Sequence, residues 1–419
     1  MRDGHNLENV LNDLPKCWKV APLGLTSWVR ARLGWKGLKA EEYVEEGIAF
    51  LSTPDIKNRE INYQKVNRIT HERYSESSEI ALRVGDVLLT KDGSTIGVVH
   101  LVRTLPEPTT VNGSIAVITP SERWESLFLG YVLESSWAQA LMSRLQDGMG
   151  VPHLFQRDIK RLRLPLPPLE TQQRIADYLD RETAEIDAAV ADLDKYVELL
   201  EKRKRAVGAA LLDEAVKDES TLTVHLGSLG TFLSGSGFPH EYQGIEDEEY
   251  PFYKVGSLST ADRNAVVHDS RNTVSRKTAL ELGAKVIPNG SVLMAKIGEA
   301  MRLCRFAVNA TDCCIDNNMM AVVPRFEHIT TDYLRLALTL VTVDVLVNPG
   351  PVPSLNVQGL RMFSIPLPSL EIQEKLTDEW KKETSEIDSL IADSTRLRDL
   401  LLKRRSVLIT EVVTGRKQV

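Results

Sequence analysis

Five consecutive residues, Lys91-Asp92-Gly93-Ser94-Thr95, have the types that contact a nucleic-acid backbone. An ammonium neutralises phosphate, hydroxyls donate to phosphate oxygens or base edges, and glycine lets a main chain approach closely. Lys296-Ile297-Gly298-Glu299 occupies a similar turn later in the chain, with Arg302 and Arg305 just beyond it. A second basic cluster, Arg30, Arg32, Lys36 and Lys39, is interleaved with Trp35 in TSWVRARLGWKGLKAEEY. That composition suits a loop lying along a backbone or reaching into a groove. Each feature also has a plainer reading. The turns are then solvated hairpins, and the basic loop is a surface loop with its tryptophan packed inward. Both readings stand at this level.

Enzymatic constellations are absent from the sequence. It holds no GxxxxGK[ST] phosphate loop, no GxGxxG after a strand and no HExxH. No Asn-Pro-Pro-Tyr-like tetrapeptide of amino-methylating enzymes occurs; Asn348-Pro349-Gly350 lacks the aromatic. Pro54-Asp55 followed by Glu60 resembles part of a metal-dependent nuclease pattern, but Asn62 stands where lysine is needed. The plainer reading is a turn before a strand. Cys304, Cys313, Cys314 and His328 make a conceivable zinc set. However, neighbours on a strand point to opposite faces, which favours buried structural thiols for Cys313 and Cys314. No catalytic residue and no metal ligand are expected.

These residues need elements to position them, and one element dominates. It occurs twice, as LPLPPLETQQRIADYLDRETAEIDAAVADLDKYVELLEKRKR from Leu164 and as IPLPSLEIQEKLTDEWKKETSEIDSLIADSTRLRDLLLKRRS from Ile365. The match runs without a gap from Pro165 and Pro366 through Lys202 and Lys403. A period of roughly 200 residues is too long for a solenoid unit and marks two copies of a domain-plus-helix module. In the first copy Leu179, Ile186, Leu193, Leu200 and Val207 recur every seven residues, with Ile175, Ala189 or Val190, Val197 and Leu211 at alternate positions. The second copy offers Leu376, Trp380, Ile387, Leu390 or Ile391, Leu397, Leu401, Leu408 and Val412. Heptads sustained in this way predict a coiled coil, with Glu182, Lys204 and Ser394 as polar interruptions. Two matched rods in one chain predict an intramolecular antiparallel pair, with a globular domain at each end.

The expected organisation is α+β. Residues 1–163 form a first globular α/β domain and 164–219 a first helical spacer. Residues 220–364 form a second such domain and 365–419 a second spacer, with approximate two-fold symmetry. Each globular region reads as short strands, a turn with Lys and Gly, a closing helix and then Val-Pro-x-Leu. The Pro-Leu-Pro segments read as stiff, extended entries to the rods.

Bulk properties set broad limits. The chain has 419 residues, a hydrophobic fraction of 42% and a net charge of -7. Residues 170–219 hold 8 basic and 14 acidic side chains, so most of the negative charge lies on the first rod and the total does not exclude DNA binding. Four cysteines without CxxC spacing, and no apolar run long enough for a membrane span or signal peptide, point to the cytoplasm. The rods share Glu-Thr-x-Glu-Ile-Asp, in which Glu182 and Glu185 match Glu383 and Glu386. These acids are candidate docking faces for two copies of one partner, or simply solvated helix faces.

The duplicated LPLPPLETQQRIADYLDRETAEID and IPLPSLEIQEKLTDEWKKETSEID, preceded by GVPHLFQRDIKRLRLP and PVPSLNVQGLRMFSIP, resemble the specificity subunits of Type I restriction-modification systems. The Gly-Asp-Val-Leu-Leu strand at Gly85 and its counterpart at Gly290 add to the likeness, which spans essentially the whole chain. The resemblance implies a DNA-recognition subunit that reads a bipartite, asymmetric site. It implies a coiled-coil spacer and two methyltransferase (M) subunits docked on the repeats. It places S-adenosylmethionine in those M subunits, which methylate adenine flipped from the helix. It places ATP and Mg in restriction (R) subunits, and no cofactor in this chain. The competing reading is a coiled-coil scaffold that clamps two protein partners and never touches DNA.

Overall fold

The computed structural model describes residues 10–31, 40–57, 59–93, 95–145, 152–262, 264–298, 300–301, 304–341, 347–348 and 353–419. The chain divides into two compact units, residues 1–192 with 397–419, and residues 193–396.

In the first unit, β1 (Lys19–Pro22) pairs antiparallel with β9 (Arg163–Leu166). A four-stranded antiparallel sheet runs β2 (Ser27–Arg30), β8 (Ile115–Pro120), β5 (Val87–Thr90), β6 (Val99–Leu101). A three-stranded sheet places β3 (Ile48–Leu51) between β4 (Asn67–Ile69), antiparallel, and β7 (Thr109–Val111), parallel. The VLLT and IAVI runs are buried on both faces, which explains why they read as continuous apolar stretches. The hairpin predicted around Lys91-Asp92-Gly93 is present, with Val87 opposite Leu101.

The closing helix predicted from SLFLGYVLESSWAQALMSRL is two helices, α1 (Ser126–Glu134) and α2 (Ser136–Arg144). Ser135 divides them. Its extended backbone cannot continue a helix, and its hydroxyl accepts from Ala138 N–H as the N-cap of α2.

The second unit repeats this topology. β10 (Leu222–His225) pairs with β19 (Ser364–Leu367). The larger sheet runs β11 (Gly230–Ser234), β18 (Met319–Pro324), β15 (Val292–Ala295), β16 (Ala307–Asn309), with β13 (Val266–Val267) added at its edge. The smaller sheet places β12 (Tyr250–Tyr253) between β14 (Thr273–Val274), antiparallel, and β17 (Cys314–Ile315), parallel. The closing helix α3 spans Thr331–Leu338. Cys313 and Cys314 are fully buried in separate apolar clusters, as opposite-facing strand neighbours must be.

The rods are single helices, α4 (Leu169–Ala215, 47 residues) and α5 (Leu370–Val413, 44 residues). At 1.5 Å per residue each is about 65–70 Å long. Within the first unit, Tyr178 meets Lys417 and Asp187 meets Arg405. Within the second, Lys204 meets Asp388 and Gly208 lies beside Trp380. Rising numbers on one helix meet falling numbers on the other, so the pairing is antiparallel in each unit. The buried seam of α5 includes Trp380, Thr384, Ile387, Ser394, Leu408 and Val412. Leu397, expected in the seam, is instead 49% exposed: Ser394 and Leu401, seven residues apart, hold that stripe and rotate Leu397 outward.

Candidate nucleic-acid interface and rod junction

The two Lys-Gly turns are built alike. Lys91 N–H donates to Ser114 O, Leu154 N–H to Lys91 O and Gly93 N–H to Pro152 O. In the second unit Lys296 N–H donates to Asn318 O, Leu355 N–H to Lys296 O and Gly298 N–H to Pro353 O. Gly93 and Gly298 have φ of 82° and 90°, a region that side-chain-bearing residues adopt at a cost of about 1–2 kcal/mol, so the glycines are conformational requirements. The Pro-x-Leu residues after each closing helix therefore fix the turn rather than merely linking elements.

The side chains on these turns differ. Lys91 is largely covered and its ammonium lies 2.8 Å from Asp92, whose carboxylate also contacts the His153 imidazole. Thr95 and Lys296 are half-buried, and Arg305 is exposed. The first turn is also held from behind, since Gln139 Nε2 donates to Gly97 O at 2.8 Å and to Leu133 O at 2.8 Å. Ser94, Arg302, Arg32, Lys36 and Lys39 lie outside the described residues.

Arg30 departs from the sequence expectation. It is 4% exposed, on β2, with Nη2 2.6 Å from the Asp86 carboxylate. Burial depresses its pKa, and Asp86 acts against that depression. Asp86 is fully buried and also accepts from Arg83 N–H and Thr119 Oγ1. Arg30 is thus a sheet-building cation rather than a phosphate ligand. Its guanidinium stacks 4.4 Å from the Trp28 ring, which is 51% exposed beside Arg83, so Trp28 and not Arg30 presents this strand to solvent. The nuclease-like Asp55 is likewise structural, since its carboxylate accepts from Ser52 N–H and Ser52 Oγ in a turn.

The rod junctions carry the clearest duplicated chemistry. Gln172 is fully buried. Its Nε2 donates to Arg123 O at 2.9 Å and Pro167 O at 2.8 Å, and its Oε1 accepts from Glu125 N–H at 2.9 Å. Gln373, also fully buried, donates to His328 O and Pro368 O and accepts from Thr330 N–H. Glu125 and Thr330 are themselves N-caps of α1 and α3. One amide therefore fastens the rod, the Pro-Leu-Pro entry and the closing helix together in each unit. The sequence shows this glutamine in both copies, but not its partners.

The Glu-Thr-x-Glu-Ile-Asp repeat also resolves by position. Thr183 and Thr384 are buried, as are Ile186 and Ile387. Thr183 meets the Tyr131 hydroxyl, whose pKa burial pushes up to about 12 and which also donates to Asp180. Asp180 gathers Arg59 at 2.7 Å and Arg103 at 2.5 Å as well. The final aspartates bind across the seam, Asp187 to Arg405 at 2.8 Å and Asp388 to Lys204 at 2.5 Å. Lys204 and Arg405 are equivalent in the repeat, so the apparent seam fault at Lys204 is half of a duplicated ion pair. Glu185, Glu383 and Glu386 are exposed and Glu182 is half-buried.

The sequence profile described as the Type I restriction modification DNA specificity domain matches twice, over residues 36–192 and 219–382. The chain belongs to this family. Each match takes in most or all of one globular domain and part of the rod that follows it. The specificity subunit so defined carries two copies of the family's domain and is a recognition component without catalytic machinery.

The putative MjaX specificity subunit of Methanocaldococcus jannaschii is 20% identical, covering 98% of this chain and 96% of the relative. The MjaIX specificity subunit of the same organism is 22% identical over 98% and 96%. The EcoKI specificity subunit of Escherichia coli is 21% identical over 46% and 42%. Among solved structures, the S subunit from M. genitalium aligns over 96% of both chains at 14% identity with a TM-score of 0.38. HsdS from Thermoanaerobacter tengcongensis aligns over 99% and 100% at 16% identity, also with a TM-score of 0.38.

Proposed function

We propose that this specificity subunit reads a bipartite, asymmetric DNA site, one half per globular domain. The domains correspond to residues 1–163 and 220–364, with residues 164–219 and 365–419 as spacer. The observation that carries this reading is a duplicated scaffold with divergent side chains. Strand order, turn anchoring and the glutamine clamp repeat, while Lys91-Asp92-Gly93-Ser94-Thr95 is replaced by Lys296-Ile297-Gly298-Glu299. A common frame with different exposed groups suits two half-sites of different sequence. Lys91, Ser94, Thr95, Lys296, Arg302 and Arg305, with the basic loop of Arg32, Lys36 and Lys39, form the contact set.

Two M subunits dock on the rods, supported by two kinds of duplicated surface. The exposed acids Glu185, Glu383 and Glu386 with Glu182 are one. The exposed apolar pairs Tyr196 with Leu199, and Leu397 with Leu400, are the other. In this reading S-adenosylmethionine is bound by the M subunits, ATP and Mg by R subunits, and the assembly works in the cytoplasm.

The experiment is a domain exchange. Residues 220–364 are replaced by the corresponding domain of a relative, and methylated adenines are mapped in DNA from cells carrying the M subunit. The expected result is a new sequence in one half-site and an unchanged other half. A change in both halves, or in neither, overturns the modular reading.

A further inference from the structure

The second unit holds a cavity of about 240 Å³ where the two rods, the closing helix α3 and the edge of the larger sheet converge. Its chemistry is cationic. Lys204, Arg205, Arg305 and Arg335 line it, against Glu201 and Asp262. Lys204 is neutralised by Asp388. Asp262 is engaged by its own loop, accepting from Val266 N–H at 2.9 Å and Asn264 N–H at 2.8 Å and contacting the His268 ring. Lys204, Arg205, Arg305 and Arg335 therefore stand against the carboxylates of Glu201, Asp262 and Asp388, an excess of one cation.

Arg335 is the decisive group. It is 6% exposed, its guanidinium lies 4.9 Å from the Trp380 ring centre, and its Nε has no hydrogen-bond partner. Its nearest carboxylate, Asp332, is 3.8 Å from Nη2 and is shared with Lys381. A buried charged donor without an acceptor is unfavourable, so an acceptor supplied from outside the chain is favoured there.

The first unit provides an internal control. Matching the two N-caps, Glu125 and Thr330, places Gly130 opposite Arg335 and Glu134 opposite Thr339. The rod repeat places Ser406 opposite Arg205 and Leu402 opposite Glu201. In the corresponding cavity, which Lys57, Arg59 and Arg103 also line, the rod cation Arg405 is ion-paired with both Glu134 and Asp187. The second copy has thus lost the helix carboxylate and gained a buried guanidinium at the same place.

We propose that this cavity is a binding site for a phosphoryl oxyanion, held by Arg335 Nε with Arg205 and Arg305. The site goes beyond the reading of base sequence, and it shares Arg305 with the DNA contact set proposed above. Inorganic phosphate is the probe, titrated calorimetrically into the full chain in complex with its M subunit. One saturable site per chain is expected. Affinity falls about tenfold in Arg305→Gln, which removes an exposed cation and one charge-assisted contact. It falls at least as far in Thr339→Glu, which restores the carboxylate of the first copy. Gly130→Ala, in the other unit, leaves it unchanged.

Repeating the titration with a non-cognate duplex present separates two sources of the ligand. Retained phosphate binding identifies a free phosphoryl group, and displacement identifies a DNA backbone phosphate. Absence of saturable binding at millimolar phosphate overturns the proposal, as does equal affinity in the parent, Arg305→Gln and Thr339→Glu chains.

Discussion

A single buried amide at each rod base does more to define this molecule than any exposed charge. Gln172 satisfies two carbonyls and one N–H that would otherwise be buried without partners where helix, extended entry and closing helix meet. Gln172→Ala leaves all three unpaired in a dry site. The expected cost is about 1–3 kcal/mol in denaturant unfolding, and Gln373→Ala should behave alike. Equal stability of either variant to the parent would show the clamp to be incidental. Arg30 teaches the converse lesson. Its type and neighbours suggested phosphate, but its partner Asp86 lies 56 residues away, and only the fold reveals that the charge is already neutralised.

At the scale of elements, the rods are held in register by composition as well as apolar burial. The heptad stripe pairs them, and the Asp187–Arg405 and Lys204–Asp388 ion pairs mark one alignment among the alternatives, the best-attested use of polar groups in a seam. Inserting four residues into α4 alone, between Asp194 and Glu198, shifts the stripe out of phase with α5. We expect lower thermal stability and loss of site-specific methylation rather than a cleanly lengthened spacer. Unchanged stability with half-sites simply moved apart would show that seam register does not matter. The Pro-Leu-Pro entries act at this scale too. Each begins in a strand paired to the start of its own domain, Pro165 opposite Val20 and Pro366 opposite Thr223. The short two-stranded sheet tolerates prolines that a central strand would not.

For the whole molecule, an acidic chain that recognises DNA is consistent once charge is located. Much of the net negative charge lies on the first rod. Binding of duplex by the complex with M subunits should weaken steeply with salt, the slope of log affinity against log salt being about -0.9 per neutralised phosphate. A flat response would favour a protein scaffold that never contacts DNA. No helix among the described residues is long and apolar enough to cross a membrane.

The sequence alone determined the duplication, the two rods, the hairpins and the family resemblance, because heptads, turn residues and repeats are local or periodic signals. It also singled out Gln172, Gln373 and the Glu-Thr-x-Glu-Ile-Asp motif without giving their roles. Tertiary structure decided which polar residues are spent internally: Arg30 on Asp86, Lys204 on Asp388 and Asp55 on its own turn. It moved Leu397 out of the seam and divided the closing helix at Ser135. It also exposed Arg335 as a buried donor without an acceptor. The physical reason is the same in each case. Periodicity specifies which face of an element is apolar, but whether a charge meets solvent or a partner depends on residues distant in sequence, and their approach is set only when the core closes.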